Sequence, residues 1–325
     1  MNLTTAFVVD PLNSLDPAID TSVGLMHAVQ EREGKVWVTE ARLLEAVNGR
    51  ARAWARRIAL APSRPMGAHR WSVADPWFTT SAPRHLWLDE MAAVFIRTEP
   101  PLDETFTTAT LILDLIDPTR TAMINDPRGI RLCSEHLYPL HFGDLIPPTI
   151  VTADPNSIRA FLLEHRVAVL KPVDGCGGRG VLRLDRHDPN LTSLIELATG
   201  NGARPVIVQR FLREVTDGNK RVFVVDGRPV GAVYRYPAAG DFRIGNPSAE
   251  APVTARDREI CARLAPTLLR YGIRMAGLDL IGPFLIEVNV TSVGALRKAD
   301  ALLGWTLCAD LVEDVLSPTQ ERKSA

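Results

Sequence analysis

Short apolar runs alternate with amphipathic stretches through the first 130 positions. Thr5 to Val9, Val36 to Val38 and Ala92 to Arg97 read as strands, the last running into the extended Glu99-Pro100-Pro101. Asp20, Thr21 and Ser22 offer caps to a helix that Gly34 stops, and Thr39 is read as the cap of another helix ending near Asn48-Gly49. This strand-helix-strand rhythm predicts an open α/β domain over residues 1–130.

The pattern changes over residues 131–205. Asp154-Pro155 sets a capping carboxylate before a proline at the first helical position, so a helix is expected to run to His165. Val167 to Val173 reads as a buried strand, a glycine-rich run follows, and Val181 to Leu184 is strand again. A helix opening at Asp188-Pro189 ends at Gly200-Asn201-Gly202. Over residues 206–325 hairpins dominate. Asp226-Gly227 joins strands 221–225 and 228–236, a strong turn signal. Thr254 and Asp257 have capping-box spacing for a helix to Tyr271, with Pro266 as its expected kink. Two apolar strands around Asp279 and Glu287 come next, then a helix from about Gly304 to Leu316.

Composition narrows the class. At 46% hydrophobic and 23% charged, the 325 residues read as an ordinary globular chain long enough for two or three domains. The 37 Lys and Arg nearly cancel the 38 Asp and Glu, so no global field points to nucleic acid or an anionic membrane. Phosphate chemistry would therefore use local charge. No basic leader and no long uncharged apolar run occur, which makes a cytoplasmic location the expectation. Cys133, Cys176, Cys261 and Cys308 lie far apart without a CxxC pair, so reduced thiols are expected.

Candidate chemistry gathers at two places. Asp279, Glu287 and Asn289 are hard-oxygen side chains on neighbouring strands, suited to Mg²⁺. Glu287 and Asn289 share a strand face, because side chains alternate with period two. A three-residue loop of Gly282, Pro283 and Phe284 sets Asp279 opposite Glu287, whereas a two-residue Gly-Pro loop sends it to the other face. Upstream, Gly175-Cys176-Gly177-Gly178-Arg179-Gly180 matches a dinucleotide fingerprint, but a strand follows it instead of a helix. A strand-flanked glycine loop suits a flap whose backbone N–H groups cover nucleotide phosphates, with Lys171 just before it.

Taken in order, Lys171-Pro172-Val173-Asp174-Gly175, Val208-Gln209-Arg210-Phe211-Leu212, Asp217-Gly218-Asn219-Lys220-Arg221 and Glu287-Val288-Asn289-Val290-Thr291-Ser292 resemble the ATP-grasp superfamily. Within it, the chain is most similar to the bacterial glutathione synthetase family. Val8-Val9-Asp10-Pro11, residues 48–53 and Arg97-Thr98-Glu99-Pro100-Pro101 extend the likeness over nearly the whole chain. The resemblance implies an ATP-grasp fold behind an N-terminal open α/β domain (1–130), with a central lid subdomain (131–205) and a C-terminal subdomain carrying the metal site (206–325). It implies a carboxylate-amine ligase working through an acyl phosphate, with γ-glutamylcysteine and glycine as leading substrates. Another peptide or amino-acid ligase, or a nucleotide-binding protein of this fold without catalysis, is the alternative.

By similarity, Lys171, His136, Gly175, Gly177 and Gly178 face the ATP phosphates, and Gln209, Phe211 and Leu212 frame the adenine. Asp279, Glu287 and Asn289 hold Mg²⁺, with Mn²⁺ as the alternative, and Arg221 and Arg243 meet phosphoryl or carboxylate oxygens. The expected partners are a small carboxylic acid and an amine, with no nucleic acid or membrane, and the resemblance suggests a homo-oligomer. Departures cluster toward the substrates: His136 stands for a usual lysine, Asn219 for an aspartate, the loop after Arg243 is short, and Val293 replaces a proline.

Overall fold

The parallel core of the N-terminal region is built around β1 (Thr4–Val8), all five residues of which are buried. The computed structural model describes residues 3–100, 103–175 and 177–317; Pro101, Cys176 and the polar tail from Pro318 onward lie outside them. Helix α1 (Thr21–Glu31) crosses from β1 to β2 (Lys35–Thr39), and the Asp20 carboxylate caps it by accepting from the Ser22 and Val23 N–H groups. The helix expected before Asn48-Gly49 is absent. A single 3-10 turn leads into β3 (Leu44–Val47), and Asn48 and Gly49, at φ 51° and 78°, turn the chain into β4 (Arg50–Leu60). Asn-Gly is itself a two-residue hairpin signal, because both residues tolerate the left-handed region. Along β4, Ala51, Ala53 and Ala55 are buried between exposed or half-buried Arg50, Arg52, Trp54 and Arg56.

A small hairpin, β5 (Ser63–Gly67) with β6 (Arg70–Val73), precedes β7 (Phe78–Thr80) and β8 (Arg84–Trp87), which both pair with β4. Then come β9 (Ala93–Ile96), α2 (Glu104–Leu113), β10 (Ala122–Ile124) and α3 (Pro127–Leu132). The sheet order is β10-β9-β1-β2-β4-β3, parallel from β10 to β2.

The central sheet contains β11 (Thr149–Thr152), β12 (Val167–Pro172), β13 (Leu182–Asp185) and β14 (Val206–Arg210), with α4 (Pro155–His165) and α5 (Leu191–Thr199) packed on one face. Its antiparallel order is β11-β14-β12-β13. Sequence had set β14 at the start of the C-terminal region. It lies here because its buried Val206 and Val208 face the same small core as Ile158 and Leu170.

The third sheet runs β17-β16-β15-β18-β19. It is formed by β15 (Asn219–Val225), β16 (Arg228–Pro237), β17 (Ile244–Glu250), β18 (Met275–Ile281) and β19 (Phe284–Asn289). The capping box predicted from Thr254 and Asp257 is present at α6 (Ala255–Arg270), which continues through Pro266. The C-terminal helix splits into α7 (Leu296–Leu303), absent from the sequence reading, and α8 (Leu307–Leu316). Leu296, Ala299, Leu307 and Leu311 pack with Val23, Leu25 and Met26 of α1, so the C-terminus closes one face of the first sheet. Cys133, Cys261 and Cys308 are buried free thiols.

Candidate active site

One row across the third sheet sets the site: Arg221 on β15 lies opposite Asp279 on β18, which lies opposite Glu287 on β19. The route to this register differs from either loop alternative alone. The turn is the two-residue Gly282-Pro283, with Ile281 opposite Phe284, and a β-bulge between Asp279 and Leu280 then advances β19 by one residue. The extra residue is Ile286. Its insertion returns Glu287 to the Asp279 face, as a bulge does by placing two residues opposite one. Burial carries the same phase change: Leu285 and Val288 enter the core, while Ile286, Glu287 and Asn289 are half-buried toward the cleft.

Asp279 is the electrostatic centre. Its two oxygens accept from Arg221, through Nε and through Nη2 at 2.9 Å, and Arg235 Nη2 approaches at 2.7 Å. Burial favours the neutral acid, but the two guanidinium groups overcome it and hold the carboxyl well below the usual carboxylate range. Two cations thus meet one buried anion, with Glu287 beside it on β19. Gly277 makes the arrangement fit, since a Cβ there would lie 3.0 Å from Arg221 Cδ and 3.2 Å from Nη1. Asn219, fully buried, fixes Arg235 by accepting from Nε at 3.0 Å while donating to the Leu280 carbonyl at 3.3 Å. A neutral amide orients Arg235 without consuming its charge.

Glu287 and Asn289 carry lighter structural duties. The Asn289 amide nitrogen donates to the Gly277 carbonyl at 3.1 Å, which fixes the side chain and leaves its oxygen as an acceptor. The His136 ring nitrogen Nδ1 lies 3.9 Å from the Glu287 carboxylate. Two carboxylates and one amide oxygen converging on one cleft form a hard donor set that fits a divalent cation with oxygen preference.

Every residue named from sequence as a site candidate lines this cleft. Lys171, at the end of β12, is buried; burial pushes its ammonium pKa down while Glu287 and Asp279 pull it up. His136 Nε2 lies 2.9 Å from the Gly175 carbonyl, and burial lowers the ring's pKa. Gly177 and Gly178 adopt φ 60° and 72°, values that glycine reaches without strain. Arg243 faces Gly178 from the loop between β16 and β17, with its guanidinium bound to Asp241 at 2.7 Å. At the far end, Gln209 donates to Thr149 Oγ1 at 2.9 Å, and the Arg210 and Phe211 N–H groups are taken by Pro148 and Val167. Apolar walls there come from Val169, Phe211, Leu212, Phe242 and Ile281.

Sequence reasoning missed Arg235, Glu135 and Phe242. Counting back from Asp226-Gly227 sets Asn219 opposite Tyr234, but a bulge between Phe223 and Val224 brings Arg235 there instead. Glu135 is legible only in three dimensions. Its carboxylate accepts from the Val290 and Thr291 N–H groups, each at 3.0 Å, and burial together with Glu287 pushes its pKa up.

A four-stranded antiparallel unit and a five-stranded sheet enclosing a lysine, a glycine loop, paired arginines and hard-oxygen side chains have the make-up of an ATP-grasp ligase. The fold has the same likeness in solved structures. ATP-grasp ligase PsnB complexed with minimal precursor matches at TM-score 0.63 and 18% identity over 97% of this chain and 99% of that one. D-cycloserine synthetase DcsG matches at TM-score 0.61 and 18% identity, covering 96% and 99%. Sequence relatives are nearer. Glutathione synthetases from Synechococcus elongatus and Synechocystis sp. are each 43% identical over 306 residues, 93% of this chain and 94% and 95% of theirs. The family models described as prokaryotic glutathione synthetase match in both parts, the N-terminal domain over residues 3–131 and the ATP-grasp domain over 135–304. The chain belongs to the prokaryotic glutathione synthetase family and is an ATP-dependent ligase of that type, a class that uses ATP and a divalent metal with small-molecule substrates. Among the described residues no helix is long and apolar enough to cross a membrane.

Proposed function

We propose that the chain joins γ-glutamylcysteine to glycine at the expense of ATP, in the cytoplasm, with Mg²⁺ as the preferred metal and Mn²⁺ as a substitute. The observation that carries this reading is the Arg221-Asp279-Glu287 row facing Lys171 and the glycine loop across one cleft. Asp279, Glu287 and Asn289 would hold the metal, which when bound supplies charge neutralisation for the β- and γ-phosphates.

The protein's own groups do the rest. Lys171 is a fixed cation for phosphate oxygens, and the N–H groups around Gly177 and Gly178 present partial positive charge beside it. The adenine would lie between the apolar walls near Phe211 and Leu212. With the Arg210 and Phe211 N–H groups committed, Leu212 is left to read its edge. A substrate carboxylate oxygen attacks the γ-phosphorus, the bond to the bridging oxygen breaks, and ADP leaves. The glycine amine, its ammonium having lost a proton to solvent, then attacks the acyl carbon; the nitrogen gives up a second proton to the departing phosphate, which leaves with the former carboxylate oxygen. The guanidinium groups of Arg221 and Arg235, which line the same cleft, would favour both anionic stages. Arg243 would add its charge by exchanging Asp241 for a phosphoryl or carboxylate oxygen.

Carboxylate-¹⁸O γ-glutamylcysteine tests the sequence of bonds. One labelled oxygen should appear in inorganic phosphate for each amide formed. Unlabelled phosphate alongside labelled amide product would remove the acyl-phosphate step.

A further inference from the structure

Residues 135 and 136 touch both halves of the site with consecutive side chains. Glu135 is bonded three times to the end of the metal-bearing strand: its backbone carbonyl accepts from Val288 N–H at 3.0 Å, and its carboxylate accepts from Val290 and Thr291. His136 turns the other way and meets the Gly175 carbonyl at 2.9 Å. A carbonyl accepts only, so Nε2 carries the hydrogen and donates it. The other ring nitrogen, Nδ1, is buried without a hydrogen-bond partner and faces Glu287 at 3.9 Å. The one N–H that His136 directs across the cleft is therefore spent on protein backbone.

We propose that Glu135 and His136 form a bracket that fixes the glycine loop relative to the metal strand, with His136 a positioning residue acting through Gly175. Resting on the ATP reading above, this gives the family's departure at position 136 a defined consequence. A lysine there would bring a charge to phosphate, whereas the imidazole holds the backbone that carries the phosphate-facing glycines. Glu135 keeps the strand end in place because one carboxylate oxygen, Oε1, accepts from both backbone donors just beyond Asn289. The bracket thus links Lys171's strand end to the Glu287-Asn289 edge without any ligand.

Full-length protein without nucleotide provides the test, by limited trypsin cleavage after the exposed Arg179, four residues beyond the bonded carbonyl. His136→Ala should be cut about fivefold faster than wild type, the factor expected when one hydrogen bond of ordinary net strength is lost. With ATP, metal and both substrates, the same variant should release phosphate in excess of amide, because a misplaced loop admits water to the activated acid. His136→Gln, which keeps a side-chain N–H at the Nε2 position, should restore both behaviours. Wild-type cleavage of His136→Ala, with only a higher KM for ATP, would show direct phosphate contact and overturn the bracket. If the wild-type enzyme proves inert toward ATP while the cleavage pattern holds, the bracket stands and the ligase reading falls.

Discussion

The two acidic residues of the proposed metal site bear opposite structural burdens, and replacing each with its amide should separate folding from chemistry. Asp279 is buried, and the side chains of Arg221 and Arg235 that enclose it are only 7% and 12% exposed. In Asp279→Asn both guanidinium groups stay buried around a neutral amide. Removing one partner of a buried pair costs about 3–5 kcal/mol. At roughly 2 °C per kcal/mol for a chain of this size, the melting temperature should fall by about 6–10 °C. Glu287 is different: 21% of its side chain is exposed, and the ring 3.9 Å away is His136, whose pKa burial lowers. Glu287→Gln should cost less than about 1 kcal/mol yet lower turnover by about 100-fold or more, since a metal ligand supplies several kcal/mol at the transition state. Thermal denaturation without ligands and steady-state phosphate release read the two effects. An Asp279→Asn protein melting within about 2 °C of wild type would refute the ion-pair argument, and a Glu287→Gln enzyme with normal rates would refute the metal assignment.

Further outcomes follow from buried charges elsewhere. Lys171→Met removes a cation whose ionisation already opposes burial, so the fold should be retained while KM for ATP rises at least about tenfold; unchanged nucleotide kinetics would place the phosphates elsewhere. His27, on α1, has its pKa lowered to about 4, first by burial and second by the Arg297 guanidinium. The unfolded chain takes up a proton below pH 6.5 that the folded protein refuses, so stability is lost as pH falls from 6.5 toward 4. At 1.36 kcal/mol per pKa unit this amounts to roughly 3 kcal/mol. Urea unfolding across that window should show the slope in wild type and a shallower one in His27→Phe, and identical slopes would assign the acid sensitivity to other groups.

The parts legible in sequence were those where one residue type has a local reason to be where it is. Asp154-Pro155, the Thr254-Asp257 box and Asp226-Gly227 each satisfy or redirect the backbone within a few residues, and each appears as expected. The parts that escaped depend on partners far along the chain. Asn48-Gly49 is the exception, a local hairpin signal between β3 and β4 that the helical reading of the preceding residues passed over. Helix α7 begins at Ala295 with φ 77° and no side-chain cap, so it lacks the usual start signal and owes its place to packing on α1. The bulges at Ile286 and near Phe223 leave no local mark, yet they decide that Glu287 faces Asp279 and that Arg235 reaches Asn219. Residue types therefore announced the chemistry, while long-range pairing set the distances that make it workable.

The most direct test of the ligase reading is the stoichiometry of a single reaction containing the full-length protein, ATP, Mg²⁺, γ-glutamylcysteine and glycine. The account predicts one phosphate and one ADP for each molecule of glutathione formed, with turnover lost on chelation of the metal. ATP consumed without amide product, or no consumption with this acid and amine, would contradict it.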